Sequence, residues 1–204
     1  MTDISGWFSY KGTTCMQHKD VGDKLKILFE NKKPSRVLEI GTASGGLTLL
    51  LRDVLDECNL ENCDIRSYDV GESSRYHLLE AINNGARIDF RLENLFNHPY
   101  DDLLNYDDVP KYIQQEGVTI VMCDGGSKKS EFRIFSKYLK PGDIIMAHDY
   151  SSTVEYFENF IYGKIWNWCE IYDSDIENVV KEHNLEPYMK DEFQDVVWAC
   201  KIKK

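Results

Sequence analysis

Three groups of residues in this chain have types and spacing suited to chemistry. The first is a glycine-punctuated run, Glu39-Ile40-Gly41-Thr42-Ala43-Ser44-Gly45-Gly46, whose glycines let backbone approach a ligand closely. The second is Asp69, at the end of the next apolar stretch. The third is divided between Asp124-Gly125-Gly126 and His148-Asp149, each following a short apolar run. Two carboxylates and an imidazole brought together can hold a divalent ion, or take a proton from a reacting hydroxyl.

These positions are useful only if regular elements bring them to one end of a sheet. Apolar spacing from Cys15 to Asn31 predicts a helix, stopped by Lys32-Lys33-Pro34. Arg36–Ile40 reads as a strand, the glycines as a turn, and Leu47–Leu55 as a helix. The alternation continues with strands at Asp64–Val70, Ala86–Leu92, Val118–Cys123 and Asp143–Ala147. Helices are expected at Ser74–Asn83, Ser130–Leu139, Thr153–Tyr162 and Asp173–His183, and an acidic loop from Asn94 to Tyr106. Pro187–Met189 and Val196–Ile202 read as a closing hairpin. Strands alternating with helices imply a mostly parallel sheet covered on both faces, with right-handed crossovers.

In such a sheet the first glycine-rich strand-to-helix turn normally belongs to a ligand site. Three cofactor readings compete for it. A dinucleotide fingerprint needs glycine where Glu39 stands, and a carboxylate there opposes a pyrophosphate. A P-loop needs lysine where Leu47 stands. S-adenosylmethionine, which has an ammonium and a sulfonium but no phosphate, suits an acidic residue beside the turn. Asp69 is then placed to receive the ribose hydroxyls, with Glu39, Gly41, Thr42, Ser44 and Gly45 around the methionine end. The plainer alternative makes the glycines a simple connection and Asp69 a helix cap.

The run Val37 to Gly46 resembles motif I of class I S-adenosylmethionine-dependent methyltransferases, and Asp69 matches the acidic position that follows it. Val121 to Gly126, Leu139-Lys140-Pro141-Gly142-Asp143 and His148-Asp149 resemble, more narrowly, the cephalosporin hydroxylase-like and macrocin-type O-methyltransferase group. The likeness runs from about Gln17 to Tyr150. It implies a Rossmann-like, doubly wound α/β fold of about seven strands with an antiparallel C-terminal strand and helices on both faces. It also implies methyl transfer to a small-molecule or sugar hydroxyl. Asp124, His148 and Asp149 are the expected metal ligands and catalytic groups, with Asp124 also beside the cofactor. The group has an acidic residue at the position of His148, and magnesium prefers oxygen ligands. An imidazole therefore leaves magnesium, manganese, or a base role for His148 itself as alternatives. A non-catalytic cofactor-binding module remains a different class of reading.

Other residues carry smaller expectations. Asn94 either meets the adenine or makes a turn. Trp166 and Trp168 either cover an acceptor pocket or pack the core. Trp7, Phe8 and Tyr10 form a lid, an oligomer contact or a tether. His18, His77, His98 and His183 lack metal-ligand spacing.

The 204 residues suit one domain, with 1–31 as an N-terminal lid and helix region, 35–150 as the cofactor core and 151–204 on the acceptor side. A composition 42% hydrophobic excludes a disordered chain. A net charge of -11 disfavours nucleic acid, and the lysine clusters at 32–33, 128–129 and 201–204 read as solvated surface. The six cysteines show no paired spacing, and no apolar run of about 18 residues could span a bilayer. No targeting signal is expected at the N-terminus, no membrane partner is expected, and the expected compartment is the cytoplasm. A small-molecule acceptor is the expected partner, and a homo-oligomer is compatible with the sequence.

Overall fold

Alternation along the central strands gives the fold its two faces. The computed structural model describes residues 6 to 98, 100 to 104 and 106 to 204. Residues 1 to 5 of the expected lid region, and positions 99 and 105 of the acidic loop, lie outside them. In chain order the main elements are the strands β1 (Phe8–Tyr10) and β2 (Thr13–Cys15), the helix α1 (Val21–Lys32), β3 (Arg36–Ile40), α2 (Gly46–Glu57), β4 (Asp64–Asp69) and α3 (Tyr76–Asn83). There follow β5 (Ile88–Leu92), α4 (Asp108–Gln114), β6 (Thr119–Cys123), α5 (Lys128–Ser136), β7 (Ile144–Ala147) and β8 (Tyr150–Ser151). The chain ends with α6 (Val154–Tyr156), which runs into a π-helical turn at Phe157–Ile161, then β9 (Ile171–Tyr172), α7 (Asp173–Glu182), β10 (Leu185–Pro187), α8 (Lys190–Gln194) and β11 (Ala199–Lys203).

Seven strands form one sheet in the order β5-β4-β3-β6-β7-β11-β10. β5, β4, β3, β6 and β7 are mutually parallel, and β11 runs antiparallel to both its neighbours. This is the expected doubly wound sheet with a reversed closing strand. Val37, Ile65, Ile120, Met122, Ile144 and Met146 face a core shared with α1 and α2. Leu38, Ile40, Val121, Cys123, Ile145 and Ala147 face the opposite core, which contains Val109 and Ile113 of α4, Phe132 and Phe135 of α5, and Ile176 of α7. Strands buried on both faces read as continuous apolar runs, which is why β3, β6 and β7 are plain in the sequence.

The differences from expectation have local causes. The first helix starts at Val21 rather than Cys15, because β1 and β2 pair as a hairpin. Lys11 and Gly12 turn it with φ of 48° and 79°, the two positive values of a type I′ turn. The helix α4 was not expected; Pro110 lies in its first turn, where a missing N–H costs nothing. The single helix predicted at Thr153–Tyr162 begins with Thr153 accepting from the Tyr156 N–H at 3.0 Å, then widens to the π-helical turn. The closing strands sit at 185–187 and 199–203 with α8 between them, not at 187–189 and 196–202. The apolar run Val196-Val197-Trp198 looks strand-like, but Val197 has φ of 58° and ends the turn before β11. Among the described residues, no helix is long and apolar enough to cross a membrane.

Candidate active site

A cavity of about 400 Å³ opens at the carboxyl ends of β3, β4, β6 and β7, the place where ligands meet an open α/β sheet. Its first wall is the glycine turn. Gly41 has φ of 96°, and a Cβ there would stand 2.1 Å from the Asp124 carbonyl oxygen, so only glycine lets β3 and β6 end side by side. Gly46 opens α2 directly behind β2: a Cβ would meet the Thr14 carbonyl oxygen at 2.3 Å. Gly41, Thr42, Ala43, Gly46 and Leu47 line the cavity.

Glu39 does not line it, nor do Ser44 and Gly45. Strand alternation turns Glu39 to the α2 face, where it is fully buried. Its Oε2 accepts hydrogen bonds from Thr48 Oγ1 at 2.6 Å and from Ser67 Oγ at 2.5 Å, Ser67 being its register partner on β4. Oε1 is sealed and has no polar partner among the described residues. Burial pushes the carboxyl up to about 7, against the opposing pull of the Ser67 and Thr48 hydroxyls. Glu39 thus supports the turn from behind. Ser44 receives the Thr13 hydroxyl on its carbonyl oxygen at 3.0 Å, and Gly45 caps α2 with φ of 87°.

Asp69 ends β4 and lines the cavity. Oδ2 accepts the Ala43 N–H at 2.6 Å, Oδ1 accepts the Gly71 N–H at 2.6 Å, and Arg75 lies 3.2 Å from Oδ1. A carboxylate offers about four acceptor positions, so capacity remains for a ligand hydroxyl. Asn94 also lines the cavity, while its Oδ1 accepts the Phe96 N–H at 3.1 Å in a local turn.

The opposite wall is built from the ends of β6 and β7. Asp124 Oδ1 lies 3.0 Å from His148 Nδ1, and Asp124 Oδ2 accepts from Gln17 Nε2 at 2.7 Å. Gln17 in turn accepts the Trp198 indole N–H at 2.9 Å. His148 is enclosed between Trp166 and Trp198, with ring centroids 5.3 and 4.9 Å away, and its Nε2 is sealed without a polar partner among the described residues. Burial pulls its pKa down, but Asp124 and Asp149 outweigh that and raise it. Asp149 has left-handed backbone, φ 53°, a conformation aspartate tolerates better than most residues. Its Oδ1 accepts from Trp166 Nε1 at 2.6 Å, and its Oδ2 lies 3.1 Å from Lys128 Nζ. Burial raises the Asp149 pKa, yet the charges of His148 and Lys128 bring it below the ordinary carboxylate value.

Asp124, His148 and Asp149 are therefore brought together, with one potential ligand atom from each within 4.8 Å of the others. Several neighbours were not foreseen. Lys128 is 6% exposed rather than solvated, and its ammonium also lies 3.0 Å from Glu170 Oε2. Burial lowers the Lys128 pKa, but Asp124, Asp149 and Glu170 overcome this and raise it. Glu131 Oε2 and Oε1 accept the N–H groups of Gly125 and Ser127, fixing the loop after β6. Gln17 and Glu131 carry no motif; their only sequence signal is nearness to an element that ends at the site. Lys201, likewise expected on the surface, is buried and paired with Asp173 at 3.0 Å.

The rim is aromatic. Trp7 and Trp168 stack with centroids 5.9 Å apart, and both line the cavity. Trp166 is buried and lines it too. Tyr10 instead donates to Asp53 at 2.5 Å, tethering the hairpin to α2.

No family model and no curated protein matches the chain. Solved structures do match. An apo form of CmcI superposes with a TM-score of 0.68 at 12% identity, over 99% of this chain and 78% of that one. The Mg-SAM form of CmcI gives 0.62 at 14% identity, over 98% and 78%. The SAH-bound methyltransferase PaMTH1 of Podospora anserina gives 0.56 at 13% identity, over 90% and 78%. The chain shares the fold of these structures.

Proposed function

We propose that the cavity binds S-adenosylmethionine and that the protein transfers its methyl group to the oxygen of a small-molecule or sugar hydroxyl. The observation that carries this reading is the pairing of two walls across one cavity. The glycine turn and Asp69 form one, and the carboxylates of Asp124 and Asp149 form the other, in a fold shared with methyltransferases. Backbone at Gly41 and Thr42 would meet the methionine end, Asp69 the ribose and Asn94 the adenine. Glu39 would act through the turn it supports rather than by contact.

When bound, the cofactor supplies a methyl group on a sulfonium, ready for in-line displacement: a C–O bond forms as the C–S bond breaks. The chain's own residues must then align the acceptor and receive its proton. Asp124 and Asp149 are the acids at the cavity wall. His148 has Nδ1 on Asp124 and Nε2 sealed, so its arrangement suits holding Asp124 in place better than meeting the acceptor directly. Trp7 and Trp168 offer flat apolar faces to a ring-shaped acceptor.

Titration calorimetry with S-adenosylmethionine tests the cofactor; no binding would refute the reading. Asp124→Asn should retain that binding and lose methyl transfer to hydroxyl acceptors by about 10²-fold or more. Full transfer by the variant would remove Asp124 from the chemistry.

The Mg-SAM form of CmcI raises a divalent ion as an aid to such chemistry. Here the compactness of Asp124, His148 and Asp149 favours an ion, but their donors do not. Each of the four carboxylate oxygens already faces a nitrogen within 3.1 Å: His148, Gln17, Trp166 and Lys128. Those oxygens keep spare lone pairs, but His148 has Nδ1 on Asp124 and Nε2 sealed, and the Lys128 ammonium, 3.1 Å from Asp149 and 3.7 Å from Asp124, already supplies a positive charge where an ion would sit. As arranged, these residues do not fit a divalent ion, and no step above depends on one.

A further inference from the structure

We infer that the Lys128 ammonium is the resident cation of this acidic cluster and takes the place a divalent metal would occupy. Nζ lies 3.0 Å from Glu170 Oε2, 3.1 Å from Asp149 Oδ2 and 3.7 Å from Asp124 Oδ1, and it donates to the Gly125 carbonyl oxygen at 3.2 Å. That is a shell of four oxygens from three segments of the chain, converging on one positive charge that is 6% exposed. A buried lysine is stable only when so paired, and buried carboxylates in turn need a cation or donors.

Geometry makes lysine and metal exclusive. A magnesium or manganese ion binding Asp149 Oδ2 at about 2.1 Å would sit no more than about 5 Å from the ammonium that shares that oxygen. Two like charges so close repel, and both would draw on the same carboxylate oxygen. Glu131 anchors the loop on which α5 begins, since its carboxylate holds Gly125 N–H and Ser127 N–H at 3.1 and 3.0 Å. Lys128 is therefore delivered by a braced turn and is not a mobile surface side chain. His148 in the third position completes the picture: an imidazole hydrogen-bonded to Asp124 adds a donor to the cluster, where a further carboxylate would have called for more cation.

The inference goes beyond the methyl-transfer reading and does not require it, so its test uses the metal alone. Manganese uptake by the full-length chain is followed by electron paramagnetic resonance, and magnesium uptake by calorimetry, for the wild type and Lys128→Met. The wild type should take up neither ion below millimolar concentrations. Lys128→Met, which keeps the bulk and removes the charge, should bind manganese at least about tenfold more tightly. Adding Asp124→Asn to that variant should abolish the gain. Lys128→Arg keeps the charge and should behave as the wild type; Lys128→Gln serves as the second neutral variant if the methionine form does not fold. Wild-type uptake as tight as that of the neutral variants would overturn the inference. So would absence of uptake by all of them, or a gain that survives Asp124→Asn. S-adenosylmethionine binding, measured separately in the same samples, reports on the cofactor reading without bearing on this one.

Discussion

Replacing Glu39 with glutamine keeps the shape and removes the charge at the most enclosed carboxylate beside the cavity. Burial pushes this group up to about 7 from its ordinary value of 4.5. Between those two pH values the folded protein holds a proton that the unfolded chain has released. The native state therefore binds more protons, and stability must fall as pH rises through the window, then level off above it. A gap of this size corresponds to roughly 3 kcal/mol. Glutamine cannot ionise, so Glu39→Gln should lose that share of the pH dependence while other groups, Glu131 among them, keep theirs. Urea unfolding of both ligand-free proteins from about pH 5 to about pH 8 reads the difference directly. Relative to the wild type, the variant should gain about 2 to 3 kcal/mol across the window, less whatever the Ser67 and Thr48 hydrogen bonds lose in the exchange. A difference that stays constant with pH would refute the reasoning. A wild type that gains stability over the variant as pH rises would show that the pocket favours the charge.

Gly41→Ala should destabilise by about 3 kcal/mol or more, since φ of 96° is strained for alanine and its Cβ would enter the Asp124 carbonyl. The melting temperature should fall by about 6 to 12 °C, and a variant that melts with the wild type would contradict the close approach of β3 and β6. Gln17→Leu leaves the Trp198 indole N–H and one Asp124 oxygen unpaired, at a cost of about 1 to 3 kcal/mol in chemical denaturation. Trp168 is 44% exposed, so Trp168→Ala should change stability by no more than about 0.5 kcal/mol. The same variant should raise the acceptor KM and leave cofactor affinity unchanged, with Trp168→Phe restoring part of it; weakened cofactor binding would place this residue on the other side of the cavity.

What the sequence discloses of this molecule follows from how many constraints act on each position. Gly41 is legible because only glycine satisfies both its backbone angle and its neighbour, and β3, β6 and β7 because burial on both faces leaves a continuous apolar run. Asp124, His148 and Asp149 are legible as strand-end residues. Lys128 is not, because Lys128 and Lys129 are identical in type and differ only in direction: successive residues on a helix point about 100° apart, so one enters the cluster while the other meets solvent and Asp175. Glu39 reads in the sequence as the start of the turn, whereas it is the fourth residue of β3, and its orientation depends on the phase of β3 against α2. Gln17 is silent, since a neutral amide bridging an indole and a carboxylate has no spacing rule. The hairpin of β1 and β2 is hidden by strands only three residues long.

The bridge from Trp198 through Gln17 to Asp124 joins positions 181 and 107 residues apart in the chain. During synthesis, Gln17 emerges 181 residues before Trp198. Until β11 pairs against β7, Gln17 lacks one partner, His148 lacks one of its two aromatic walls, and the amide that bonds Asp124 is not itself fixed. A nascent or partly folded chain can thus carry a formed glycine turn while its acidic centre is still incomplete. This half of the cavity rests on contacts of long sequence separation, which carry a larger loop-closure cost than the local turn opposite.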